Sequence, residues 1–124
     1  MHFLAALLFA TIQVTSPVFV DGPPTLPKGT KIAVLEGNIR NPGIFTIRLK
    51  VPAGAKLAKH THPRPERVTV LSGKVRVTID GKTTTFEKGG FYVNPPDVPH
   101  TVSFAKDSVL QLTCEGPWEV VFVD

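Results

Sequence analysis

Three of the chain's four histidines fall into two short, turn-bounded stretches. The first, GAKLAKHTHPRPERVTVLSG (residues 54–73), carries His60 and His62 two positions apart. On an extended strand both imidazoles then leave the same face, within reach of one ion. Glu66 has the same parity, and Pro63 and Pro65 break the strand between them, so that a glutamate on the next strand can return over the same site. The second stretch, GGFYVNPPDVPHTVSF (89–104), brings in His100 after a turn rich in proline. Three neutral imidazoles and one carboxylate form a coherent donor set for one divalent transition metal, with Fe, Mn, Ni, Cu and Zn all compatible. Four protein donors on an ion that takes six leave two neighbouring positions for water, substrate or dioxygen. A closed structural zinc site would favour thiolates, and the chain has a single cysteine, Cys114. An H-x-H pair alone is also a common surface pattern. What sets these residues apart is convergence: three histidines and a glutamate fall in two framed segments.

The elements that must position these groups read as strands. Residues 45–51 (FTIRLKV) alternate strictly, with Phe45, Ile47, Leu49 and Val51 on one face and Thr46, Arg48 and Lys50 on the other. Residues 74–80 (KVRVTID) repeat the pattern, and Asp80-Gly81 followed by KTTTF is a two-residue hairpin signature. Shorter strands are expected at 32–35, 67–71, 91–94, 101–104, 109–114 and 118–123, separated by turn signals such as Asn41-Pro42-Gly43, Lys88-Gly89-Gly90 and Glu115-Gly116-Pro117. No stretch shows an apolar stripe of helical period and length. The expectation is an all-β domain, an antiparallel sandwich or barrel.

These motifs resemble those of the cupin superfamily, whose first motif is G(x)5HxH(x)3,4E(x)6G. Gly54, His60, His62, Glu66 and Gly73 match it at every position. The second motif, G(x)5PxG(x)2H(x)3N, aligns with Gly89, Pro95 and His100, but Asp97 stands at its second glycine and Phe104 at its asparagine. The resemblance implies a jelly-roll β-barrel with His60, His62, Glu66 and His100 as metal ligands, and Glu66 as a base if it detaches. It also implies a dioxygenase, isomerase or decarboxylase on a small oxygenated substrate, with a metal-dependent oxidoreductase the leading expectation. A non-catalytic periplasmic metal- or small-ligand-binding or sensor module is the competing one.

Other residues carry secondary expectations. Tyr92 and Phe104 are candidates for a substrate pocket, Phe104 sharing the strand parity of His100. Arg64 and Arg67 would either steer an anionic substrate or be solvated. Asp97 would orient a histidine or shape its turn. Cys114 shares parity with Leu110 and Leu112 and reads as a small buried hydrophobe. Trp118, Val120 and Phe122 alternate on the expected last strand, as core or as contact in a homodimer.

The apolar run at residues 3–12 (FLAALLFATI) is too short to span a bilayer and has the length of a signal-peptide core. Residues 1–20 are therefore read as a leader for a periplasmic or secreted protein, with a single domain at 21–124 and no membrane span after leader removal. An N-terminal element packed on the domain is the alternative. The 14 Lys and Arg exceed the 10 Asp and Glu, giving a net charge of +4. They are scattered among apolar positions rather than clustered, as on the wet faces of strands, so a nucleic-acid partner is not expected.

Overall fold

The alternation at residues 45–51 becomes the central strand of one sheet. In the computed structural model, which describes residues 11–124, β1 (Val20–Asp21), β2 (Lys31–Glu36) and β3 (Gly43–Val51) are followed by β4 (Lys56–Thr61) and β5 (Glu66–Ser72). Next come β6 (Val75–Ile79), β7 (Lys82–Phe86), β8 (Phe91–Asn94), β9 (His100–Phe104), β10 (Ser108–Gly116) and β11 (Val121–Phe122). The apolar core expected of the leader, residues 3–12, lies largely outside the described residues; Val20, the last position of the expected 1–20 leader, belongs to β1 and pairs with Ile32. Among the described residues no helix is long and apolar enough to cross a membrane.

The strands form two antiparallel sheets. One has the order β1-β2-β3-β10-β5-β8 and the other β11-β4-β9-β6-β7. Successive side chains on a strand point to opposite faces, so a period-two sequence buries one set completely. Phe45, Ile47, Leu49, Val68, Val70, Leu110 and Leu112 cover the inner face of the larger sheet, and Val75, Val77, Val102 and Phe104 that of the smaller. Burial of such a side chain stabilises the fold by about 1.5–3 kcal/mol. The two faces make a jelly-roll core with polar strand faces outside, such as Arg48 and Gln111, joined by a 2.9 Å hydrogen bond.

Turn chemistry fixes the connections. Asp80 and Gly81 both adopt positive φ, 49° and 74°, as a tight hairpin turn between β6 and β7 requires. Gly73 has φ 97°, and a Cβ there would collide with the side chain and backbone of Ser108, so only glycine fits.

The expected strand at 118–123 contracts to Val121–Phe122. After the Gly116–Pro117 break the chain leaves β10, and Trp118 is drawn inward instead of pairing in a sheet.

Candidate metal centre

His60 and His100 face each other across β4 and β9, paired in register in the smaller sheet. His62 follows directly after β4, and all three rings are buried. The chain then crosses to the other sheet through residues 63–65, and Glu66 opens β5. The imidazoles thus come from one sheet and its margin, and the carboxylate from the sheet opposite. Ring centroids lie 4.2 Å apart for His60 and His100, 4.9 Å for His60 and His62, and 5.2 Å for His62 and His100.

Each ring is oriented by a main-chain carbonyl. The Nδ1–H of His60 donates to Ala58 (2.7 Å), that of His62 to Glu119 (2.9 Å) and that of His100 to Val98 (3.0 Å). A carbonyl can only accept, so the proton of each neutral ring sits on Nδ1 and the Nε2 lone pair is free. Histidine side chains at metal sites are commonly prepared in this way. Among the described residues, four buried side-chain N or O atoms have no hydrogen-bond partner, and two are Nε2 of His62 and of His100. One candidate ligand atom from each of the three histidines lies within 4.8 Å of the others, close enough to hold one metal ion.

Burial favours the uncharged rings. It pushes His60 down to about 4, its carbonyl contact with Ala58 offsetting only part of that, while the neighbouring His100 and His62 add to the depression. His100 is lowered for the same leading reason, with the Val98 carbonyl opposing. At neutral pH both rings therefore present lone pairs rather than charges.

Glu66 is held from two sides. Its Oε1 accepts from Asn94 Nδ2 at 2.9 Å, and its Oε2 accepts from Trp118 Nε1 at 3.1 Å. The same Oε2 lies 3.2 Å from His62 Nε2. With Nδ1 of His62 committed to Glu119, it is Nε2 that faces this carboxylate, and a cation shared between the two would be bound by both. Two donors bound at about 2.1 Å on adjacent corners of one ion are separated by about 3 Å, close to this spacing.

The remaining expectations divide. Tyr92 and Phe104 line an inner cavity of about 40 Å³ together with His60, His62, Glu66 and Trp118. At about 10–15 Å³ per water centre, that is room for roughly three waters. Burial, helped by the Glu66 charge, raises the Tyr92 phenol above its ordinary range, so it stays protonated. Arg64 is tied down, its Nη1 donating to Pro117 O at 2.9 Å. Arg67 is exposed.

Asp97 takes φ 61°, which explains why glycine suits that position, and its backbone N–H donates to His62 O at 2.8 Å. The carbonyl that orients His100 belongs to Val98, so Asp97 shapes the turn. Cys114 is buried beside Glu66 in register, with its thiol pushed up to about 12, chiefly by burial. It packs as a hydrophobe. Trp118 packs against the core at Phe45 (6.1 Å between centroids), as the core reading expected, and also stacks on His62 (6.4 Å, 11°) beside the site.

Sequence reasoning did not anticipate the roles of Asn94 and Trp118. The signals were present, since Asn94 shares inward parity with Tyr92 and a buried indole N–H requires an acceptor.

A family model described as a cupin domain matches residues 47–114. The chain belongs to the cupins. Solved structures similar to this cupin include an acetylacetone dioxygenase from Acinetobacter johnsonii, 20% identical with a TM-score of 0.73 over 100% of this chain and 85% of that one. The polyketide cyclase RemF from Streptomyces resistomycificus is 15% identical, with a TM-score of 0.73 over 94% and 88%. An RmlC-like cupin from Shewanella frigidimarina is 19% identical, with a TM-score of 0.70 over 86% and 91%. No curated protein sequence matches. At these identities the likeness establishes the fold, and a scaffold shared by a dioxygenase and a cyclase does not select a reaction.

Proposed function

We propose that this cupin holds one divalent transition metal through His60, His62, His100 and Glu66 and acts as a dioxygenase-like oxidoreductase on a small oxygenated substrate. The observation that carries the metal reading is the set of buried imidazoles, each with Nδ1 committed to a carbonyl and two with Nε2 left without a partner. Leaving such groups unpaired in the interior costs about 1–3 kcal/mol each, a cost that a bound cation removes. When bound, the ion supplies Lewis acidity toward a carbonyl oxygen.

The chain's own contribution is to aim the donors and limit access. Phe104, Val102, Leu110 and Leu112 give the cavity an apolar wall, which suits a small, largely apolar molecule with an oxygen-bearing end. Each oxygen of Glu66 already accepts one hydrogen bond, which holds the carboxylate in place and suits a fixed ligand better than a mobile base. Export is part of the proposal. It is supported by the apolar run at residues 3–12.

Elemental analysis of protein purified without a histidine tag tests the metal: about one equivalent per chain is expected, and none in His62→Ala. A full equivalent retained in that variant would overturn the site. The small cavity also favours the second reading, a non-catalytic binding module. Oxygen consumption by metal-loaded protein with diketones, phenols and thiols separates the two, since an absence of turnover across metals and substrates supports binding alone.

A further inference from the structure

The family match ends at residue 114, yet two of the four proposed ligands are held by residues beyond it. Residues 117–123 leave β10 and reach the edge of the smaller sheet, where Val121 and Phe122 pair with β4. Arg64 Nη1 grips Pro117 O at 2.9 Å, and Val123 N bonds Lys59 O at 3.0 Å. Between these anchors the Glu119 carbonyl fixes the tautomer of His62, and β11 pairs with His60 and Thr61. Trp118 lies nearly parallel to the His62 ring and donates its indole N–H to Glu66 Oε2, the oxygen that faces His62 Nε2.

A carboxylate turns easily about its last torsion. Asn94 secures one oxygen of Glu66; the second needs its own donor to fix the plane. We infer that residues 117–123 form a strap belonging to the metal centre, with Trp118 as a positioning residue that aims Glu66 Oε2 at the cation. The inference rests on the metal reading above. A tryptophan that merely plugged the barrel end would act through its ring area alone, whereas a positioning residue acts through its N–H.

Trp118→Phe distinguishes these, because it keeps an aromatic ring and removes the donor. Cobalt(II) affinity, read by visible absorption, is expected to fall about tenfold or more, in the range found when outer partners of metal ligands are removed. The melting temperature of the metal-free variant should stay close to that of the parent. Affinity within twofold of the parent overturns the inference while leaving the metal site standing, and a parent that binds no cobalt overturns both.

The parent protein offers a second test that does not depend on the variant folding. Its single tryptophan gives one indole N–H signal in a nitrogen–proton correlation spectrum. On addition of zinc that signal is expected to shift in step with occupancy and to exchange more slowly with solvent. A signal unchanged at full zinc loading overturns the inference.

Discussion

Between β3 and β10 the inward apolar register pairs include Leu49 with Leu110, Ile47 with Leu112, and Phe45 with Cys114. In the opposite sheet, between β4 and β9, the corresponding buried pair is His60 with His100. The same antiparallel geometry places both sets, but with opposite energetic consequences. An apolar pair gains stability from every contact it makes. The histidine pair loses hydration, has its protonation suppressed, and leaves an Nε2 at His100 without a partner. The barrel body thus supplies stability that its polar end consumes, as expected where a site is kept ready for a ligand.

The largest effect is expected on the apolar side. Phe45 is fully buried, and Phe45→Ala should lower unfolding free energy by about 3–5 kcal/mol in a urea titration. A loss below 1 kcal/mol would show that this sheet is not the stabilising half. On the polar side, stripping the proposed metal with a chelator should cost about 2.7 kcal/mol relative to protein in free metal at 100 times its Kd. Calorimetry that finds equal melting temperatures with and without metal would contradict it.

Acid probes the same side. An unfolded histidine titrates near about 6.5, whereas His60 in the folded chain is held at about 4. As pH falls through this window the unfolded chain takes up a proton that the folded chain refuses. Stability of the metal-free protein is therefore full above pH 6.5 and is lost progressively down to about pH 4. A melting temperature flat across that range would refute a neutral buried His60. The smallest effect belongs to neither core: Gly81→Ala, at φ 74°, should cost about 1–2 kcal/mol by forcing a side chain into the left-handed region. It should leave metal content unchanged.

Legibility from sequence followed the range of the interactions. β3, and the β6–β7 hairpin with its Asp80-Gly81 turn, are written in local alternation and turn residues. The His60–His62 pair, and the return of Glu66 after Pro63 and Pro65, could be read from spacing. His100 joined them through a motif. The clamps could not be read this way: Asn94 reaches Glu66 across 28 positions, Trp118 reaches it across 52, and the Glu119 carbonyl reaches His62 across 57. For the same reason the alternation of Trp118, Val120 and Phe122 looked like a strand. The pull of Glu66 and Phe45 on one indole outweighs pairing there, and only Val121–Phe122 remains extended.

The near-parallel placement of the lone tryptophan on His62 has an optical consequence. An ion with unpaired electrons, such as copper(II) or cobalt(II), seated at the imidazoles would darken the protein's ultraviolet emission, whereas closed-shell zinc would leave it bright. If the proposed site fills, that emission would serve as an intrinsic, label-free gauge of which kind of cation occupies it.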